Sequence, residues 1–230
     1  MSEPLLHEHI TATLDSITID VTVALRSPWT VLFGPSGSGK STILRSIAGL
    51  RGGVPAWKRH IPLASQQAAL FPHMTVKGNL QFGRELPTGD FEQEQELHAE
   101  RFQDLVRLFR IGDLLERYPA QLSGGQAQRV SVARALMPRY SRLVLLDEPF
   151  TGLEQALRDE LLLALKQWTR EHRLPVLSVT HDVTEALLLE AEVIKLREGR
   201  IVAQGPAQEV LAEERLQLLR SLDGSRTFTL

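Results

Sequence analysis

The sequence contains no cysteine, so disulfide bonds, thiolate metal sites and cysteine nucleophiles are excluded together. No apolar run approaches the ~18 residues that span a bilayer, and the amino-terminal residues lack the basic start and apolar stretch of a signal peptide. An excess of either charge is also missing, because 26 Lys and Arg face 28 Asp and Glu. A net charge of -2 gives no electrostatic footprint for nucleic acid. We therefore expect no nucleic-acid partner, and contact with a membrane only through another protein.

The sequence does have the alternation of strands and helices that is typical of an α/β fold. Of its 230 residues, 43% are hydrophobic, which is enough for a large core. Short apolar strands are predicted at 30–33, 143–146 and 175–179, with helical patterns between them. This order predicts an α/β domain with a mainly parallel sheet. We expect a single domain over residues 1–230, with a helical subdomain at roughly 70–138 inserted in the core.

Several smaller patterns complete the prediction. Residues 9–25 alternate in polarity and are rich in β-branched residues, which predicts strands with one solvated face. Residues 51–62 read as a loop or short edge strands. A polar helical pattern runs from about 90 to 117, and another helix is predicted from Thr184 to Ala191. Residues 192–203 predict a hairpin.

A glycine-rich loop at 34–41 follows the strand at 30–33 and precedes a helical pattern. Its spacing fits G-x-x-x-x-G-K-[ST], in which backbone N–H groups and a helix N-terminus surround phosphate oxygens. Lys40 is placed to reach the β- and γ-phosphates, and the Ser41 hydroxyl to bind Mg²⁺. The candidate phosphate-binding residues are Gly34, Pro35, Ser36, Gly37, Ser38, Gly39, Lys40, Ser41 and Thr42.

Two carboxylates, Asp147 and Glu148, follow directly on the apolar strand at 143–146. In parallel sheets, ligands bind at the carboxyl ends of the strands. Asp147 suits coordination of Mg²⁺, directly or through water. Glu148 suits polarisation of the water that attacks a γ-phosphate.

A second anion site is predicted where a Ser-Gly-Gly turn opens a helix. The residues are Ser123, Gly124, Gly125 and Gln126. A helix N-terminus offers unpaired N–H groups and partial positive charge to an anion. Two phosphate sites in one chain suggest that two chains share two nucleotides.

With these motifs, nearly the whole chain resembles the ATP-binding subunit of ABC transporters. The order of motifs matches that family: the phosphate loop, Gln66 followed by Phe71-Pro72-His73, the turn at 123–126, the acidic strand end, and His181. The resemblance implies the phosphate-loop NTPase fold of ABC ATPases, with a reduced antiparallel β-subdomain. It also implies ATP and Mg²⁺ as ligands.

Further roles are implied by the same resemblance. Two copies of the chain would sandwich two ATP molecules head to tail, so that Ser123 and Gly125 of one copy contact the γ-phosphate held by the other. Gln66 would contact Mg²⁺ or the attacking water, and would join Ser41 and Asp147 as a metal-site residue. His181 would hydrogen-bond the γ-phosphate and hold Glu148 and the water in place. Catalysis would therefore rest on Glu148, His181 and Gln66.

Residues 70–80 resemble the importer branch, and the stretch from Val76 to Leu80 is most similar to molybdate and tungstate importer ATPases. This implies transmembrane permease subunits, a solute-binding protein, and a location at the cytoplasmic face of the inner membrane through the permease. Sulfate and other oxyanion or sugar importers resemble it nearly as well. An exporter or lipid-transport ATPase, and a regulatory ABC module with weak turnover, remain alternatives. An ABC ATPase acting on DNA or ribosomes is disfavoured by the size and charge of the chain.

Three features depart from the family pattern. Only 15 residues separate Leu50 from Gln66, far fewer than an ordinary β-subdomain needs. No Phe, Tyr or Trp precedes Trp29, although the family stacks adenine on an aromatic ring in this region; His7 or His9 is a candidate substitute. Glu154 stands where relatives have Asp, which puts the coupling between two active sites in doubt. We also expect no regulatory β-domain after the last helix.

Overall fold

The computed structural model describes residues 4–14, 17–51, 53–82 and 91–224. The chain divides into two units, the first made of residues 1–40 and 180–230, the second of residues 41–179. The α/β prediction is confirmed within both units. The expectation of a single domain with an inserted helical subdomain at 70–138 is not tested by this division and stays a prediction.

The first unit begins with an antiparallel hairpin, β1 (Leu6–Leu14) and β2 (Ile17–Leu25), in which Ile10 pairs with Val21. The alternation of β2 is as predicted, because Ile19, Val21 and Val23 are buried while the residues between them are exposed. This hairpin forms a separate two-stranded antiparallel sheet.

A second group of strands completes the first unit. β3 (Trp29–Phe33), buried throughout, is parallel to β7 (Glu192–Arg197), which forms the predicted hairpin with β8 (Arg200–Pro206). Because β3 and β7 are parallel, their carboxyl ends lie at the same edge. The helices of this unit are α6 (Val183–Leu188), α7 (Ala207–Val210) and α8 (Ala212–Gly224).

In the described residues of the second unit, β5 (Val144–Asp147) pairs in parallel with both β4 (Leu63–Ala64) and β6 (Val176–Thr180). Every residue of β5 and β6 is buried, as expected for strands covered on both faces. The continuous apolar runs in the sequence therefore predicted these strands correctly.

The helices of the second unit begin or end close in sequence to several of the predicted motifs. They are α1 (Lys40–Ile47, which starts at the unit boundary), α2 (Val76–Phe82), α3 (Phe91–Leu108), α4 (Gly124–Leu136) and α5 (Gln155–Glu171). α4 packs against α2, α3, β4 and β5, and α3 also contacts α5. No helix in the described part of the chain has the length and apolarity needed to cross a membrane.

Two helix predictions were too long. The pattern at 90–117 ends as a helix at Leu108, because Arg110 adopts a left-handed conformation (φ 50°) and the chain continues through a short 3₁₀ turn. The helix predicted to reach Ala191 ends at Leu188, where Glu190 is left-handed (φ 49°) and Ala191 N donates to Ala186 O. In the sequence, the helical spacing of apolar residues continues past the ends of both helices. The left-handed residues that end these helices, Arg110 and Glu190, are not glycine, which is the usual sequence signal for a helix end.

The segment between α1 and β4 contains no strand in its described residues, 48–51 and 53–62. It holds one 3₁₀ turn, Ala56–Lys58, and is closed by Arg59, whose Nε donates to Val54 O (2.9 Å) and Nη1 to Ile47 O (3.0 Å). Of the two predictions for this segment, the loop is confirmed and the edge strands are wrong.

Candidate functional site

The phosphate loop connects the end of β3 to the start of α1, as predicted. A Cβ atom on Gly34 would lie 2.3 Å from Leu196 O, a backbone atom, so only glycine fits there. Gly39 is left-handed (φ 102°), and its Cβ would lie 2.6 Å from Ile19 Cδ1. Residues of the neighbouring strands thus pack directly against the backbone of the loop at these two positions and leave no room for a side chain.

Polar groups of this loop point inward. Lys40 is 7% exposed, and its Nζ donates to Gly34 O (2.7 Å) and Pro35 O (2.9 Å). Ser38 is 3% exposed, and its Oγ has no hydrogen-bond partner among the described residues. A buried hydroxyl without a partner is unusual and fits a bound anion oxygen. The loop thus has the cradle, the cation and the donor that a polyphosphate requires.

In the second unit, Ser41 and Asp147 are brought together. Ser41 Oγ donates to Asp147 Oδ1 over 3.2 Å, and Asp147 is 4% exposed at the end of β5. Thr42, the next residue of α1, is also buried. A hydroxyl and a carboxylate side by side are hard oxygen ligands, which suit Mg²⁺.

Glu148 has an unusual backbone and a defined carboxylate. Its φ of 49° is left-handed, a conformation that a non-glycine residue adopts at some cost in energy. Glu148 N donates to Val179 O (3.1 Å). Its Oε2 accepts hydrogen bonds from Gln66 Nε2 (3.1 Å) and Thr151 Oγ1 (3.2 Å). The structure therefore brings Gln66 to Glu148, and adds Thr151, which the sequence analysis missed.

The turn at 123–126 caps α4. Ser123 Oγ accepts from Gln126 N (3.2 Å), and Ser123 N donates to Gln126 Oε1 (2.9 Å), which is a capping box. Gly124 has open space where a side chain would be, whereas a Cβ on Gly125 would meet Leu153 Cδ2 at 2.5 Å. Because Ser123 Oγ acts as acceptor toward Gln126, its own O–H remains a donor for another group.

α4 also holds the chain that follows Gln66. Gln128 Nε2 donates to Ser65 O (3.2 Å), and Arg134 Nη2 donates to Ala69 O (2.6 Å). The Arg134 guanidinium lies 5.1 Å from the centre of the Phe71 ring. Burial lowers the pKa of Arg134 from its ordinary value. Neither Gln128 nor Arg134 was predicted as functional, because nothing in their local spacing indicates a distant backbone partner.

Asn79 fixes the turn at 71–75. It is fully buried, its Oδ1 accepts from Phe71 N (2.8 Å), and its Nδ2 donates to Phe71 O (3.1 Å), Met74 O (3.2 Å) and Thr75 O (3.0 Å). A single amide therefore sets the shape of the Phe71-Pro72-His73 loop. The local sequence gives no signal of this role, because Asn79 lies in a helix that also carries the polar residues Lys77 and Gln81.

His181 and Glu154 lie at the starts of helices. His181 is exposed between β6 and α6, where Asp182 caps α6 by accepting from Thr184 N (2.7 Å). Glu154 occupies the N-cap position of α5 and makes no side-chain cap hydrogen bond. The role predicted for His181 and the effect predicted for Glu154 stay predictions.

One strand leads into the phosphate loop at 34–41, and another ends in the acidic pair Asp147 and Glu148. These features define the class of phosphate-loop α/β proteins. The family model described as ABC transporter matches residues 19–151. The chain therefore belongs to the ABC transporter family.

Curated relatives carry importer names. The molybdenum import ATP-binding protein ModC of Granulibacter bethesdensis is 38% identical over 94% of this chain and 62% of its own length. ModC of Mesorhizobium japonicum is 39% identical over 83% of this chain and 54% of its own length. The sulfate/thiosulfate import ATP-binding protein CysA of Nephroselmis olivacea is 40% identical over 78% of this chain and 55% of its own length. The chain thus spans little more than half the length of these relatives.

Solved structures of similar fold are ABC cassettes. A subunit of the CbiONQ ABC transporter complex from Clostridium perfringens has a TM-score of 0.74 and 22% identity, covering 98% of each chain. A dimeric ATP-binding cassette in a post-hydrolysis state, bound to ADP and Pi, has a TM-score of 0.69 and 26% identity over 86% of this chain and 96% of that one. The predicted ABC ATPase cassette fold, mostly parallel with a small antiparallel sheet, is therefore confirmed.

Proposed function

We propose that this chain binds and hydrolyses ATP and thereby powers an ABC importer. The observation that carries the proposal is the Ser41–Asp147 pair, because it joins the residue after the loop lysine to the acidic end of β5. Family membership and the inward-pointing groups of the phosphate loop support it.

Each candidate residue then has a task. Lys40, with the backbone N–H groups of the loop, holds the β- and γ-phosphates, and the Ser38 hydroxyl donates to a phosphate oxygen. Ser41 and Asp147 would hold Mg²⁺, with Gln66 as a further oxygen ligand. Mg²⁺ supplies neutralisation of the negative charge on the phosphates.

Glu148 is proposed as the group that orients the attacking water and accepts its proton. Gln66 and Thr151 both donate to Oε2, so they fix the direction of the carboxylate before water is bound. His181 would hydrogen-bond the γ-phosphate. Water adds to the γ-phosphorus, the bond to the bridging oxygen breaks, and ADP leaves with Pi as the other product.

The active form is proposed to be a head-to-tail dimer of two copies. Ser123 and the free N–H groups at the start of α4 would contact the γ-phosphate bound by the partner copy. Ser123→Asp and Ser123→Asn test this, since both side chains can cap α4 but only Asp adds a charge facing phosphate. We expect Asp to abolish ATP-dependent dimerisation, measured by light scattering, and Asn to retain it. Equal dimerisation of both variants would contradict the sandwich.

The transported solute is proposed to be molybdate or a related oxyanion, on the basis of kinship with ModC proteins. Permease subunits would recruit the chain to the cytoplasmic face of the inner membrane, and a solute-binding protein would deliver the oxyanion. In cells that depend on this gene, replacement by the Glu148→Gln variant should stop uptake of labelled molybdate. Loss of sulfate uptake instead would assign the other oxyanion.

The first experiment compares ATP turnover of the wild type with that of Glu148→Gln. We expect the wild type to release phosphate and the variant to bind ATP without turnover, because the amide cannot accept a proton. Wild-type protein that binds ATP but never hydrolyses it, alone or with its permease, would overturn the enzymatic proposal and favour a regulatory module.

A further inference from the structure

Three apolar side chains are exposed on the short segment between α1 and β4. Trp57 is 75% exposed, Leu50 60% and Val54 49%. Exposed apolar residues that are scattered singly are ordinary, but a group of them usually marks an interaction surface. None of the motifs discussed above uses these residues, and all of them belong to the second unit.

The segment is folded back on itself by backbone contacts. Gly49 is left-handed (φ 75°), and a Cβ on it would lie 2.5 Å from Val54 O and 2.7 Å from Ala56 N. The two hydrogen bonds that Arg59 donates, to Ile47 O and Val54 O, join the same region from the other side. The exposed apolar side chains flank these contacts and are therefore carried by one folded loop.

The same part of the sequence is cationic. Residues 41–82 contain five Lys and Arg and no Asp or Glu. Of these cations, Arg51 and Lys58 are exposed next to the apolar residues in the loop. Lys58 Nζ lies 4.9 Å from the centre of the Trp57 ring, so a cation and an exposed ring occupy the same place. The net charge of -2 describes the chain as a whole and conceals this local excess.

The segment that leads into β5 adds to this surface. Arg142 N donates to His60 O (3.1 Å), so the segments before β4 and β5 lie side by side. Tyr140 is 50% exposed, the Arg139 guanidinium lies 5.9 Å from the centre of its ring, and Arg142 is exposed. Tyr140 Oη donates to Glu94 Oε1 (3.1 Å), which places one carboxylate against this segment. A second exposed ring with cations is thus joined to the first.

These two segments, residues 48–62 and 137–143, are named here the amino-edge surface, because they lie at the amino ends of the parallel strands β4 and β5. Asp147 is the last residue of β5, so the proposed metal and catalytic carboxylates lie at the opposite edge of the strands. The tasks proposed for ATP hydrolysis therefore leave the amino-edge surface unassigned.

Exposed aromatic and aliphatic side chains beside Lys and Arg are typical of segments that lie at a membrane surface. The rings and aliphatic groups enter the boundary between headgroups and acyl chains, and the cations pair with lipid phosphates. An acidic protein surface would match the cations but would leave Leu50, Val54 and Trp57 without an apolar partner. A bilayer with anionic lipids supplies phosphate and hydrocarbon together.

We propose that the amino-edge surface binds directly to an anionic lipid bilayer, with Trp57 and Leu50 at the acyl boundary and Arg51 and Lys58 at the phosphates. The contact lies on the bilayer and does not cross it. It is separate from recruitment by permease subunits and requires no nucleotide. It departs from the expectation, drawn from the absence of charge excess and of long apolar runs, that a membrane is contacted only through another protein.

Trp57 provides the first test, because the other two tryptophans, Trp29 and Trp168, are only 5% and 6% exposed. The full chain is mixed with vesicles of phosphatidylcholine alone, or of phosphatidylcholine and phosphatidylglycerol in equal parts. With phosphatidylglycerol we expect the tryptophan emission to shift to the blue and to be quenched by brominated acyl chains. With phosphatidylcholine alone we expect neither change. Added salt should weaken the binding, because it screens the cations from the phosphates.

Cosedimentation with the anionic vesicles compares variants. Lys58→Gln should weaken binding about fivefold, and Leu50→Ser about three- to tenfold. Lys77→Gln and Leu163→Ser are the matched controls, since they change an exposed lysine and an exposed leucine of the same unit outside the surface, and both should bind as the wild type does. An unchanged Tm in all four variants shows that they remain folded.

The outcomes are distinct. Equal binding to both kinds of vesicle, or binding without a blue shift of the tryptophan emission, would overturn the proposal. It would also be overturned if Lys58→Gln and Leu50→Ser bound as tightly as their controls. Binding to polyglutamate but not to anionic vesicles, weakened in the same two variants, would assign the surface to an acidic protein instead. These measurements contain no nucleotide, so this proposal and that of ATP hydrolysis fail separately.

Discussion

The phosphate loop and the turn at 71–75 are both tightly constrained, but by opposite means. Gly34 and Gly39 are needed because no side chain fits between the loop and its neighbours. The turn is instead held by one side chain, the buried amide of Asn79, with Arg134 of α4 contacting the same region. The loop therefore requires glycines, which have no side chain, whereas the turn requires the side chain of Asn79. Substitutions can test each half of this comparison.

The largest effect is expected from Gly34→Ala. The new Cβ would lie 2.3 Å from Leu196 O, so the strand or the loop must move and the phosphate cradle must distort. We expect Mg-ATP binding to be lost and stability to fall by about 1–3 kcal/mol in urea unfolding. Gly37→Ala is the control, because no atom lies within 4 Å of its Cβ and only its left-handed backbone, about 1–2 kcal/mol, opposes the change. Equal loss of binding in both variants would contradict the steric explanation.

Asn79→Ala should act on the other half of the comparison. It leaves the Phe71 N–H and Met74 O without the Asn79 amide, while Phe71 O and Thr75 O keep their backbone donors, Met74 N and Asn79 N. We expect a cost of about 1–3 kcal/mol. For a chain of this size, Tm should fall by about 2–4 °C per kcal/mol. Mg-ATP affinity should not change, because the phosphate loop is untouched. Lys77→Ala, on the exposed face of the same helix, should change Tm little. A parallel loss of ATP affinity in Asn79→Ala would show that the two regions are not independent.

The comparison also explains what the sequence could predict. The glycines of the phosphate loop, Lys40 and Ser41 form one short motif, so they were found together, and the Ser41–Asp147 pair follows from strand ends in a parallel sheet. Asn79 and Arg134 act on backbone groups of residues that no periodicity links to them. Thr151 was missed for the same reason, because a threonine three residues after a carboxylate is typical of any turn. Where the backbone must pass close to its neighbours, the sequence needs glycine, and a glycine motif can be recognised locally. A side chain that hydrogen-bonds a distant backbone atom produces no such local pattern.

Thr151→Val tests what a single side-chain hydroxyl contributes to the orientation of Glu148. Valine keeps the shape but cannot donate to Glu148 Oε2, so the carboxylate loses one of the donors that orient it. We expect kcat for ATP hydrolysis to fall about fivefold, equivalent to roughly 1 kcal/mol, with unchanged Kd for ATP. Thr151→Ser, which keeps the hydroxyl, should restore kcat. A fall in ATP affinity without a fall in kcat would mean that Thr151 does not position Glu148.

The smallest effect is expected at Glu154, where neither kind of constraint operates. Its backbone is at the N-cap of α5 (φ -57°, ψ 139°), yet its side chain makes no cap hydrogen bond. Glu154→Asp should supply the missing cap and raise the free energy of unfolding by about 0.5–1 kcal/mol, measured in urea. Glu154→Ala removes no existing cap and should therefore change stability by less than about 0.5 kcal/mol. If Glu154→Asp proved no more stable than Glu154→Ala, a side-chain cap at this position would contribute nothing to stability, and the expected gain would be refuted.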